Sequence, residues 1–294
     1  MPAFTGRGRE YGSPLLPRFD LHTHSHCSDG HYAPEALIRL AHQAGVNTLA
    51  LTDHDTVDGL PAAARAAAAV GLNFIAGLEL SVTWSQRTVH IVGLGIDPEH
   101  PQLGRLLAEL SCLREARALD IDRQLDRCGI SGVLAEARTL AVGGVVTRTH
   151  FARILVARGH ALEVRDVFKR YLTVGKPGYV STAWVSLAQA VETIHAAGGQ
   201  AVIAHPLRYR WTRSWLRRLA NEFRALGGDG IEVISGHPAP AEIRSLAAFA
   251  REFGLLGSLG SDFHGPASAW PKLGALPPWP EDLEPVCAAH WDAA

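Results

Sequence analysis

Methionine occurs once in the 294 residues and tyrosine five times, and neither sign of charge is in excess, the formal net charge being −1. Without a basic surplus, no global field draws this chain to nucleic acid or to an anionic membrane, so any anionic ligand must be held by local charge. Cysteine is sparse: Cys27, Cys112, Cys128 and Cys287 form no CxxC pair. That spacing excludes a thiolate metal centre and argues against a disulfide scaffold. The four are expected to be reduced, buried as small hydrophobes, and at home in the cytoplasm. No apolar run approaches the length of a membrane span, and the first residues lack a signal-peptide core. What the chain has in quantity is histidine, fifteen in all, and imidazole is the commonest metal ligand.

The histidines and acids fall at a repeated place. Asp20-Leu21-His22-Thr23-His24 closes a first apolar segment and runs into Ser28-Asp29-Gly30. Thr52-Asp53-His54-Asp55 follows Leu49-Ala50-Leu51, Glu79 follows Phe74 to Leu78, His205 follows Ala201 to Ala204, and Asp262 and His264 follow Leu255 to Leu259. His22 and His24, two apart on extended backbone, project to one face. A single histidine at a strand end is usually structural. With His90, which opens His90-Ile91-Val92-Gly93-Leu94, six strand ends carry ligand-type residues, and together they describe a site.

Between these points the pattern alternates strand and helix. Strands are expected at 19–22, 47–51, 73–78, 89–95, 201–204, 230–234 and 255–259, with helices over 34–44, 60–70 and 187–197 and one before each of the last two strands. Residues 81–88 read as a hairpin connection. If the following strand returns antiparallel, His90 joins the end of the sheet where Glu79 lies. Seven strands mostly followed by helices predict an α/β fold, a distorted, TIM-like βα barrel whose active site sits at the carboxyl ends of the strands. The rhythm lapses between residues 98 and 184, where a long helical pattern over 103–128 and shorter helices predict an inserted all-helical subdomain. The barrel then comprises 18–97 and 185–267. Residues 1–17 read as a flexible leader and 268–294 as a tail, Pro-rich and draped from Trp270 to Trp279.

Taken together these motifs, with Gly77-Leu78-Glu79, Ala204-His205-Pro206 and Gly260-Ser261-Asp262-Phe263-His264, resemble the PHP (polymerase and histidinol phosphatase) family. The likeness runs from about residue 18 to 267. Val89 to Asp97, Arg148 to Arg153 and Gly175 to Val180 resemble its subgroup of phosphoesterases that take the 3′-phosphate from nucleoside 3′,5′-bisphosphates, some of which are 5′→3′ exoribonucleases. The resemblance implies a seven-stranded distorted barrel and up to three divalent metals. His22, His24, Glu79 and Asp262 would hold the first, Glu79 with His90 and His205 the second, and Asp29, His54 and His264 the third. Cys27 matches no ligand position.

Mixed imidazole and carboxylate donors suit Mn²⁺ first, with Zn²⁺ or Fe²⁺ as alternatives. Asp53, Asp55 and His205 are candidates to orient ligands or deliver protons, unranked among themselves. Arg148, His150 and Arg153, near a helix start, with Lys176 and Arg208, are candidates for the 5′-phosphate of a nucleoside bisphosphate or short RNA. No membrane and no obligate protein partner is implied. Glu232 faces the predicted site or pairs with an arginine. His26, His31, His42, His100, His160, His195, His237 and His290 read as surface residues. Competing readings are a histidinol-phosphate-type phosphomonoesterase and a non-catalytic PHP module.

Overall fold

The computed structural model describes residues 18–266 and 272–288, so the expected leader, Trp270 and His290 lie outside the described residues. Seven strands form a ring: β1 (Phe19–Asp20), β2 (Thr48–Leu51), β3 (Asn73–Trp84), β4 (Arg87–Leu94), β6 (Gln200–Ile203), β7 (Gly230–Ser235) and β8 (Leu256–Gly260). A short eighth strand, β5 (Val185–Ser186), pairs with the far end of β3 and was not foreseen in the sequence. The ring closes where the chain beyond β1 meets β8: the Leu21 amide donates to the Leu259 carbonyl at 3.1 Å, and that of Asp262 to His22 at 2.8 Å. Every step around the ring is parallel except β3–β4 and β4–β6. Leu49, Ala50 and Leu51 are fully buried, as expected for a strand covered on both faces.

Helices α1 (Pro34–Gln43), α2 (Leu60–Val70), α7 (Leu187–Ala196), α8 (Arg213–Ala225) and α9 (Pro240–Glu252) cover the ring. Helix α2 stops at Gly71, whose φ of 70° suits a residue without Cβ. The predicted hairpin connection over 81–88 is a correction. Val82 and Trp84 keep the alternation of β3 going, and the turn shrinks to Ser85 and Gln86, with φ of 44° and 61°. Two positive φ angles match the right-handed twist of the paired strands.

Residues 98–184 supply α3 (Pro101–Asp126), α4 (Val133–Leu140), α5 (Arg148–Ala157), α6 (Val164–Val167) and a wide turn of π geometry at Phe168–Leu172. Buried side chains divide into two cores. One fills and surrounds the barrel; the other gathers Ile121, Leu125, Val133, Phe151, Leu155 and Val167. Helix α3 belongs to both, giving Leu103, Leu106 and Leu110 to the barrel and Ala118, Ile121 and Leu125 to the second core. A 26-residue helix, about 39 Å long, is what carries the chain from one core to the other.

The tail is more than draped. Leu273, Leu283 and Val286 join the barrel core, and Gly257 in β8 exchanges backbone hydrogen bonds with Glu284 and Val286. The cysteines also depart from expectation. Cys112 and Cys128 are exposed, on the solvent side of α3 and just past its end, while Cys27 and Cys287 are half-buried. Among the described residues no helix is long and apolar enough to cross a membrane.

The seam between β8 and the first motif depends on a missing side chain. A Cβ on Gly260 would stand 2.3 Å from the His22 Cβ and 2.7 Å from its backbone nitrogen. Gly260→Ala is therefore expected to push His22 out of line and cost about 1–3 kcal/mol of stability. Thermal melts check this: each kcal/mol lowers the midpoint by ~2–4 °C in a chain of this size.

Candidate metal and phosphate site

Glu79 in β3 is fully buried at the carboxyl end of the barrel, and five imidazoles converge on its two oxygens. Oε1 lies 2.8 Å from His90 Nδ1 and 2.8 Å from His205 Nε2. Oε2 lies 2.9 Å from His54 Nδ1, 3.2 Å from His22 Nε2 and 3.3 Å from His24 Nε2. The antiparallel return of β4 puts His90 opposite Ser81, so the conditional expectation for His90 is met. His22 and His24, on one face of extended chain, bring their Nε2 atoms to 3.1 Å. Asp262 Oδ1 sits 3.1 Å from His24 Nε2, and His264 Nε2 sits 3.2 Å from Asp29 Oδ1.

Three of these residue groups have ligand atoms all within 4.8 Å of one another: His24, Asp29, His54 and His264; His22, His24 and Glu79; and His54, Glu79 and His90. Buried Asp29 Oδ1, Glu79 Oε2 and His54 Nδ1 lie close to these neighbours, yet none of the three is aligned for a hydrogen bond. Leaving such atoms unsatisfied is costly unless a cation takes them up. The donor set fits divalent metals of the Mn, Fe and Zn type. Burial opposes the Glu79 charge, but His54, His90 and His22 outweigh it and hold its pKa well below the carboxylate range. Burial pushes His24 down to about 3 and His90 to about 4, so both stay neutral and able to ligate.

The backbone is strained where the site is built. Asp55, His205 and Asp262 have φ of 51°, 30° and 53°, each just past a strand end. Such angles in non-glycine residues persist only where surroundings enforce them, and they gather at functional sites.

The other predicted residues divide. Asp53 accepts from the Ser25 amide at 2.7 Å and from the hydroxyls of Ser25 and Ser28 at 2.5 and 2.6 Å, shaping the loop that carries Asp29. Its burial pushes the carboxyl pKa up to about 6. Asp55 is bound to Arg114 at 2.6 Å and to the Ser81 amide at 2.6 Å. His150 is buried and caps α5, its Nδ1 accepting from the Thr147 amide at 3.0 Å. Arg153 donates to the Asp29 carbonyl at 2.7 Å, and Lys176 lies in an exposed turn. Arg208 is ion-paired with Asp262. Of the five predicted phosphate contacts, only Arg148 lines the cavity next to the cluster.

That cavity, of about 80 Å³, is lined by Asp29, His54 and His90 of the cluster together with Arg114, Arg117, Arg148, Thr147 and Thr149. Arg114 and Arg117 escaped the sequence reading. Their i, i+3 spacing puts them on one face of α3, but nothing local says that this face looks into the site. Glu232 is the other residue left undecided there. Among the described residues it pairs with no arginine; Oε1 accepts from His22 Nδ1 at 2.6 Å, and Oε2 from the His205 amide at 2.5 Å.

A PHP domain family model matches residues 20–180, more than half the chain. The chain is a member of the PHP family. A 5′-3′ exoribonuclease of Haemophilus influenzae is 46% identical over 88% of this chain and 94% of its own length. A 3′,5′-nucleoside bisphosphate phosphatase of Chromobacterium violaceum is 45% identical over 94% and 96%. Among solved structures, a C. violaceum protein described as an amidohydrolase, with bound sulfate and no metal, superposes with a TM-score of 0.89 at 44% identity, covering 94% of this chain and 96% of its own. A Bifidobacterium adolescentis protein described as a metal-dependent phosphoesterase gives 0.80 at 25% identity, covering 95% and 96%. The PHP match ends before His205, Asp262 and His264, so these enter the site through the fold and the full-length relatives.

Because Glu232 fixes His22 through Nδ1, its charge sets the ring's orientation and basicity toward a metal on Nε2. Glu232→Gln, which preserves shape, is expected to weaken divalent-metal affinity by about 10–100-fold. Calorimetric titration with Mn²⁺ reads this directly, and unchanged affinity would make Glu232 a packing residue only.

Proposed function

We propose that this PHP protein hydrolyses the 3′-phosphate of nucleoside 3′,5′-bisphosphates to give 5′-mononucleotides, and trims RNA from its 5′ end by the same chemistry. The carrying observation is that three arginines, a positive wall, line one small cavity together with Asp29, His54 and His90 of the cluster. Arg117 has a buried Nε without a partner. Burial and the neighbouring Arg148 and Arg114 depress its pKa strongly, so the wall calls for an anion. Phosphate answers that need, since guanidinium groups grip it through paired N–H donors. Arg114 and Arg117 lie 5.3 and 5.1 Å from the Trp184 ring centre, and Arg148 5.6 Å from that of Phe168. Flat rings beside the arginines suit a nucleoside. A 5′-phosphate on the arginines leaves the 3′ side to reach His54 and His90.

His22, His24, Glu79 and Asp262, then Glu79, His90 and His205, then Asp29, His54 and His264, are the residues that would hold up to three ions, with Mn²⁺ the favoured identity. A bound divalent ion lowers the pKa of water from about 15.7 toward 7 and neutralises phosphoryl oxygens. Water oxygen then adds to phosphorus and the P–O3′ bond breaks, with the proton ending on O3′. From a bisphosphate the products are a 5′-mononucleotide and phosphate. From RNA, the shortened chain keeps the phosphate on its new 5′ end and is again a substrate. Residues 98–184 act in this reading as the specificity subdomain. A histidinol-phosphate-type activity would use the same donors but leave the arginine wall unused. The four free cysteines favour a reducing compartment, the cytoplasm.

Phosphate release from adenosine 3′,5′-bisphosphate with Mn²⁺ tests the reading, beside 3′-AMP and histidinol phosphate. Arg117→Ala is expected to raise KM for the bisphosphate by ~10-fold or more, the worth of a charge-assisted hydrogen bond, and to leave 3′-AMP unchanged. His22→Ala should abolish turnover of both. Equal losses on both substrates with Arg117→Ala would remove the 5′-phosphate from the arginine wall.

A further inference from the structure

The stretch Pro206 to Arg218 holds five arginines, one tyrosine and two tryptophans without a single acidic residue, in a chain of net charge −1. It begins at the site, because Pro206 follows His205, and lies between β6 and β7 in the chain. A ladder of rings marks its course. His205 lies 5.5 Å from Tyr209, Tyr209 stacks on Trp211 at 4.8 Å, and Trp211 lies 5.6 Å from Trp84 and 6.4 Å from Trp215. Arginines lie over these rings: Arg87 Cζ is 4.6 Å from the Trp215 ring centre, and Arg218 Cζ 5.6 Å from that of Trp84.

Beside Trp211 opens a cavity of about 200 Å³, floored by Leu207, Leu216, Leu246 and Phe249 and edged by Arg210 and Arg213. Arg208 and Arg217 are committed to Asp262 and Glu252. Among the described residues, Arg87, Arg210, Arg213 and Arg218 are exposed and face no carboxylate within ion-pair distance. Positive charge without counter-charge, set along aromatic rings and an apolar slot, is the composition of a single-strand nucleic acid track, where phosphates meet arginine and bases meet flat or apolar walls.

We infer that the Tyr209–Trp211 ladder and the slot edged by Arg210 and Arg213 hold the RNA chain on the 3′ side of the scissile phosphate. The inference rests on the proposed function, and polarity supplies its logic. The cavity beside the three arginines is small, about 80 Å³, and Phe168 and Trp184 border it. An RNA longer than one nucleotide needs a further surface next to the cluster, and the segment that follows His205 offers one. A nucleoside bisphosphate ends at its 3′-phosphate and never reaches the slot.

The double variant Arg210→Ala/Arg213→Ala separates the two substrates. With a 5′-phosphorylated RNA decamer, KM is expected to rise about tenfold. The dependence of log KM on log salt should flatten by ~1.4, two phosphate contacts at about 0.7 each for single strands. Turnover of adenosine 3′,5′-bisphosphate should not change. Fluorescence anisotropy of a labelled decamer in EDTA, with wild type and variant, reads the same track without catalysis. Wild type that binds and cuts RNA no better than the variant overturns the inference. So does an equal loss on both substrates. Wild type active on the bisphosphate but unable to bind or cut RNA overturns the track and spares the phosphatase reading. Inactivity on both substrates, with RNA bound less tightly by the variant, overturns that reading and keeps the track.

Discussion

A carboxylate buried among imidazoles is the constraint on which the rest of this structure depends. Glu79 alone could not hold its charge where it lies, fully buried in the barrel mouth, because an isolated buried ion costs many kcal/mol. Five histidines reaching it from β3's neighbours, from the chain beyond β1 and from the end of β6 compensate that cost. Each must arrive from its own strand end, so the parallel strands, the antiparallel return of β4 and the closure of β8 on the first motif are all conditions of the same electrostatic arrangement. The left-handed turns at Asp55, His205 and Asp262 are where the backbone bends to meet it.

A second layer of contacts keeps the donors still. Asp53 ties the loop after β1, Glu232 ties His22 to the turn at His205, and the Asp55–Arg114 pair locks the end of β2 to α3. Asp53 and Asp55 flank His54 in sequence while Glu232 lies far along the chain from any candidate ligand, yet all three touch partners from a distant part of the chain. They are the reason that a cluster of mobile imidazoles can present a fixed geometry to a ligand.

Most of the barrel was readable in the sequence because strand-end chemistry repeats. Apolar runs ending in His22, His54, Glu79 and His205 announce both the fold and the site, and each sits within a few residues of its own strand. The misreadings have long-range causes. The alternation of Val82 and Trp84 extends β3 through what looked like a connection. His150 and Arg153 look like anion ligands at a helix start, yet one closes the helix's own cap and the other grips the Asp29 carbonyl. Arg114 and Arg117 look like solvent residues of a long helix until the insertion folds back over the barrel. A side chain's role depends here on which surface faces it, and no local pattern carries that information.

Asp29 belongs to the barrel by sequence, but its carboxylate accepts from Thr147 and its carbonyl from Arg153, both at the start of α5 in the insertion. One candidate metal donor is thus held by α5, the helix whose first residue, Arg148, lines the cavity beside the cluster. A change that shifts α5 therefore reaches a carboxylate of the cluster through these two hydrogen bonds, so residues of a helix outside the barrel bear directly on the geometry of the barrel mouth.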